Sequence, residues 1–103
     1  MAAKIIVLFN LKPGVDRAAY EAWARATDLP TVNGLGSVAG FEVLRAQGLL
    51  GSEAAPPYAY IEILEVKDME AFGRDIATQA MREVAAAFQS MADAQFILTE
   101  ALG

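Results

Sequence analysis

Apolar residues recur along this chain in two rhythms, and the change from one to the other marks its elements. Lys4 to Leu11 (KIIVLFNL) is rich in β-branched and aromatic residues and predicts a strand. Lys12-Pro13-Gly14 breaks it. Asp16 then stands where a helix N-cap is expected, and Tyr20, Trp23, Ala24 and Thr27 follow at spacings of three and four, the buried face of a helix running to about Ala26. Asp28 to Gly36 (DLPTVNGLG) predicts a loop, because Pro30 and two glycines do not sustain a helix. Ser37 to Ala46 predicts a second strand carrying Phe41, Val43 and Leu44, and Gln47 to Pro57 a long connection. Tyr58 to Val66 (YAYIEILEV) predicts a third strand. Asp68 caps a helix with Met69, Phe72 and Ile76 on one face. Met81, Val84, Ala85, Phe88 and Met91 continue it beyond a bend at Thr78-Gln79. Gln95 to Glu100 (QFILTE) closes as a fourth strand.

The order β-α-β-β-α-β implies an α+β fold of ferredoxin-like topology, with both helical segments on one side of a four-stranded antiparallel sheet. The strands carry apolar residues on both faces. Ile5, Val7, Phe9 and Leu11 alternate with Ile6 and Leu8, and Tyr58, Tyr60 and Leu64 alternate with Ile61 and Ile63. Helices cover one face only, so a second copy of the chain is the expected cover for the other. That arrangement is a dimeric α/β barrel.

Composition sharpens this. At 103 residues there is room for a single domain over residues 1–103, yet 55% of the residues are hydrophobic, above the roughly 45–50% usual for soluble domains. A net charge of −5 and only eight Lys and Arg residues, scattered singly, argue against nucleic acid as a partner. No apolar run approaches the length of a membrane span, and no targeting signal is evident, so the cytoplasm is the expected compartment. The chain holds no cysteine and no histidine, which removes thiol nucleophiles and the commonest general base and metal ligand. P-loop, dinucleotide and metal-ligand patterns are absent, and no cofactor is expected. Carboxylates, phenols and amides remain.

Candidate residues each carry a structural alternative. Asp28, Thr31 and Asn33 cluster at the end of the first helix, where they either meet a ligand or fix the turn. Tyr20 and Trp23 stack on a planar ligand or fill the core, and Phe41 adds contact area. Tyr58, Tyr60 and Glu62 share a strand face. Burial there would raise the Glu62 pKa into the range of a base near neutrality, unless Glu62 pairs with Arg45 or sits at the dimer contact. Asn10 interrupts an apolar strand and needs a partner, either a ligand carbonyl or a neighbouring loop.

The runs KIIVLFNLKPGVD, YEAWARATDLPTVNGLGSVAGFEVLR, LLGSEAAPPYAYIEILEVKDMEAF and FILTE resemble, in the same order and over nearly the whole chain, the REDY-like family that includes the HapK proteins. The resemblance implies the dimeric α/β barrel and bacterial secondary metabolism, notably of prodiginine-type pyrrole pigments and indole-derived products. It also implies action without metal or organic cofactor on small aromatic heterocycles. It marks Asp28, Pro30, Thr31 and Asn33 as pocket positions and fixes no catalytic motif. The resulting expectation is a cofactor-free enzyme with Asp28 and Glu62 as catalytic carboxylates. Asn10, Tyr20, Trp23, Thr31, Asn33, Phe41 and Tyr60 are its expected substrate-binding residues. The alternatives are a binding protein for a labile aromatic intermediate, a cofactor-free monooxygenase and a purely structural dimer.

Overall fold

A computed structural model describes residues 3–103. The elements are β1 (Ala3–Leu11), α1 (Arg17–Trp23), a π-helical turn (Ala24–Asp28), α2 (Leu29–Asn33), β2 (Val38–Arg45), β3 (Tyr60–Val66), α3 (Met69–Asp75), α4 (Gln79–Met91) and β4 (Ala92–Thr99). The four strands form one sheet in the order β2-β3-β1-β4 with every pairing antiparallel. This is the ferredoxin-like α+β arrangement that the element order implied.

Local chemistry explains the boundaries. Gly14 takes φ +85° in the turn after β1, a conformation that glycine adopts without penalty. The Asp16 carboxylate accepts the Ala19 N–H at 3.0 Å to open α1, and Asp68 accepts the Glu70 and Ala71 amides to open α3. The bend falls between α3 and α4, where the Thr78 hydroxyl accepts the Met81 N–H.

Besides β3, which starts at Tyr60 rather than Tyr58, two segments depart from the sequence expectation. The predicted loop Asp28 to Gly36 is helical as far as Asn33. Pro30 lies in the opening turn of α2, where its missing N–H costs little. The turn before it is widened, so that the Leu29 N–H reaches back five residues to the Ala24 carbonyl. The last strand begins at Ala92 rather than Gln95, because α4 passes into β4 with no connecting loop.

Sheet register assigns the faces. Ile5 pairs with Leu64, Val7 with Glu62, and Phe9 with Tyr60; all six are buried beneath the helices. Phe9 anchors an aromatic cluster, stacked on Tyr60 at 5.2 Å and edge-on to Phe88 at 5.0 Å. Across the opposite face run Ile6, Ile63 and Ile97, beside Leu8, Ile61 and Leu44. Among the described residues no helix covers that face.

Candidate active site

Between the sheet and the helices lies a cavity of about 310 Å³, at the small end of ligand pockets. Its walls are mostly apolar and come from Val7, Phe41, Phe72, Met81, Phe88 and neighbouring residues, with Gln89 of α4 a further polar member. Phe96 and Leu98 of the edge strand β4 form its rim, 59% and 73% exposed. At one end stand two carboxyl groups, Asp28 and Glu62. Among the described residues no lysine or arginine lines the cavity.

The widened turn delivers Asp28 to this place. Tyr20, Ala24, Asp28 and Val32 are all buried, a stripe with a step of four residues. On a regular helix of 3.6 residues per turn such a stripe drifts around the axis, and a turn closed by an i to i+5 bond absorbs that drift. Asp28 is therefore only 4% exposed. Burial pushes its carboxyl up to about 6.

Glu62 comes from the middle of β3, flanked on the sheet by Val7 and Val43. It is 5% exposed, and its Oε2 has no hydrogen-bond partner. Burial first, then the charge of Asp28, push its carboxyl up to about 8. Tyr20 is fully buried, and its hydroxyl is likewise without a partner. Burial, followed by the neighbouring charges of Glu62 and Asp28, suppresses its acidity and keeps the phenol protonated. At neutral pH the cavity therefore holds an ionised Asp28 and a protonated Glu62, while Tyr20, close enough to feel both charges, lines a separate cleft with Glu21 and Arg45.

The other candidate residues are placed elsewhere, apart from Phe41 in the cavity wall. Tyr60 turns its hydroxyl outward and donates to Glu21 Oε2 at 2.7 Å. This occurs in a separate shallow cleft with Arg25 and Arg45. Arg45 binds Glu21 through both Nε and a terminal nitrogen, so it does not pair with Glu62. Trp23 and Thr31 line an outward depression with Thr27 and Glu83. Asn10 pins the segment before β3, donating to the Pro57 carbonyl at 3.1 Å and accepting the Ala59 N–H at 2.8 Å. Asn33 braces the end of α2 against β2. It accepts the Phe41 N–H at 3.0 Å and donates to the Phe41 carbonyl at 3.1 Å. Both asparagines are thus committed to backbone groups, satisfying main-chain donors and acceptors that no strand or helix partner takes up. The cavity residues Phe72, Met81, Phe88, Phe96 and Leu98 do not stand out in the sequence as ligand contacts. Their signal is the helical stripe of α4 and the alternation of β4.

Topology and buried face together define a ferredoxin-like α+β protein. The family described as REDY-like protein HapK matches residues 3–102, and the chain belongs to that family. The crystal structure of HapK from Hahella chejuensis is 33% identical with a TM-score of 0.79, the match covering 100% of this chain and 94% of that one. SnoaB, a cofactor-independent oxygenase from Streptomyces nogalater, shares the fold at 17% identity and a TM-score of 0.78, covering 99% and 94%. A dimeric ferredoxin-like protein of unknown function from Thermobifida fusca shares it at 18% and 0.77, covering 98% and 92%. No curated protein sequence matches the chain.

Proposed function

We propose that the protein is an enzyme that moves protons on a small aromatic molecule without metal or organic cofactor. In this reading Asp28 is the general base and Glu62 the general acid. The observation that carries it is the pair of carboxyl groups, each more than nine-tenths buried, in the wall of a mostly apolar cavity that, among the described residues, no lysine or arginine lines. Structural carboxylates in such a setting are ordinarily paired. A pair with separated proton affinities is the pattern of acid–base sites.

The ionised Asp28 takes a proton from one ligand atom while Glu62 gives one to another. The ligand's proton count is unchanged in a tautomerisation, and a leaving hydroxyl departs as water in a dehydration. Proton exchange with solvent then resets the pair. Positioning and acid–base help of this kind supply on the order of several kcal/mol. The association with pigment pathways that the resemblance to the REDY-like family implies makes pyrrole- and indole-derived intermediates of bacterial secondary metabolism the first substrates to try. A cofactor-free oxygenase is the second reading, favoured by the fold shared with SnoaB. Oxygen uptake during turnover separates the two.

The working unit in this proposal is a homodimer whose second copy covers Ile6, Leu8, Ile61 and Ile63 on the sheet's outer face. Turnover of Asp28→Asn and Glu62→Gln tests the assignment. Rates at the parent level in both variants would remove the proposed acid and base. A single-copy mass at micromolar concentration would remove the dimer.

A further inference from the structure

We infer that the cavity's polar end selects an uncharged, flat molecule whose edge carries a hydrogen-bond donor next to an acceptor, such as a cis-amide or a vinylogous acid, and rejects organic anions. The inference deepens the proposed function, since it assigns a ligand class to the same cavity. It concerns recognition rather than turnover.

Three observations carry it. The first is Glu62, whose side chain faces the cavity from the centre of the sheet, 5% exposed, with Oε2 lacking any partner. Buried polar atoms are rarely left this way, and a carboxyl group in a cavity wall finds its missing partner in a molecule that enters once the group turns toward it. A carboxylic acid presents an O–H donor and a carbonyl acceptor side by side. Its complement is an acceptor and a donor side by side on a planar edge.

The second is charge. Asp28 lines the cavity with Glu62, and among the described residues the lining includes no lysine or arginine. The nearby guanidinium groups of Arg25 and Arg45 sit in a different cleft and are engaged with Glu21. A carboxylate or phosphate on the ligand would be buried against Asp28 with no cation to neutralise it, which is costly in a dry site.

The third is shape. Phe41, Phe72, Phe88 and Phe96 contribute rings to the walls, and a cavity of about 310 Å³ suits a molecule of a few fused rings. Planar ligands gain contact area against such walls, and the buried polar groups in the lining are Asp28 and Glu62, Gln89 being exposed.

The test compares three bicyclic probes by isothermal titration calorimetry at pH 7. 2-Quinolone carries the donor beside the acceptor, N-methyl-2-quinolone keeps only the acceptor, and quinoline-2-carboxylate is an anion. The expected order is 2-quinolone tighter than its N-methyl form by tenfold or more, with the carboxylate at least a hundredfold weaker than 2-quinolone. Glu62→Leu should erase the preference for 2-quinolone over the N-methyl compound. Glu62→Gln, which keeps a donor beside an acceptor, should retain most of it. Equal binding of 2-quinolone and its N-methyl form, comparable binding of the anion, or no binding of any probe would each overturn the inference. Failure of the acid–base reading would look different. The probes would bind in the expected order, yet Glu62→Gln and Asp28→Asn would leave turnover unchanged.

Discussion

Two glutamates lie on either side of the Tyr20–Tyr60 aromatic pair, whose rings are 5.1 Å apart, and they have opposite fates. Glu21, on α1, is held by the Arg45 fork, by the Tyr60 hydroxyl and, at 3.5 Å, by Arg25. The hydrogen bonds from Arg45 and then Tyr60 pull its carboxyl down to about 2. Glu62, on β3, has neither a cation nor a hydroxyl on Oε2, and burial pushes it up to about 8. One network is complete and belongs to the fold. The other is incomplete and reserves its unmet valence for something that enters. Polar groups left unpaired beneath a packed sheet weaken the empty protein, and such sites are where function is looked for.

Substitution should separate the two clusters most sharply in catalysis. Glu62→Gln keeps the shape of the side chain and removes its proton chemistry. In a turnover assay on pyrrole or indole intermediates it is expected to lose a hundredfold or more, whereas Glu21→Gln should stay within about threefold of the parent. The pH profile of kcat/KM should be bell-shaped, with arms near 6 and 8 set by Asp28 and Glu62.

Stability should separate them next, with opposite signs. The Glu62 carboxyl is raised in the folded state. Its contribution is therefore fully present below the ordinary carboxylate pKa and is lost as pH rises through about 8. Thermal melts of the empty protein should fall between pH 5 and pH 9, and Glu62→Gln should remove much of that fall. The recovered stability is on the order of a few kcal/mol at pH 9, roughly 10 °C or more for a chain of this size. The Glu21 carboxyl is depressed, so its contribution is present above the ordinary range and fades as pH falls toward about 2. Glu21→Gln should melt below the parent at pH 7 and converge with it in strong acid. The smallest effect belongs to Tyr20→Phe. Deleting a buried hydroxyl that has no partner should raise the melting temperature of the empty protein by roughly 5 °C, the equivalent of about 1 kcal/mol.

Strand positions and their facing are readable from the sequence because alternation is a direct record of which side a residue takes. Glu62 is conspicuous for the same reason, a charge set between Tyr60 and Leu64 on the buried face. Asp28 reads as part of a loop, and the loop is not there. The rule that proline ends helices misses the case in which a wider turn precedes it. The telling sign is the step of four from Tyr20 to Val32. Asn10 and Asn33 show a different limit. An amide that braces a backbone and an amide that binds a ligand have the same local sequence, and only the positions of Pro57, Ala59 and Phe41 reveal which partner is within reach. Trp23 fits a helical stripe and packs against the core from its margin, yet with Thr31 it also lines the outward depression.

That widened turn has a genetic corollary. It holds one residue more than a regular turn, so removal of one codon between Ala24 and Asp28 would restore ordinary winding. The tyrosine, the alanine, the acid and the valine would then stand at steps of four, three and four, which a regular helix keeps on one face, so the acid would stay in the cleft. Related chains can thus differ in length by one residue between the first tyrosine of α1 and the proline of α2 and still present the same carboxylate.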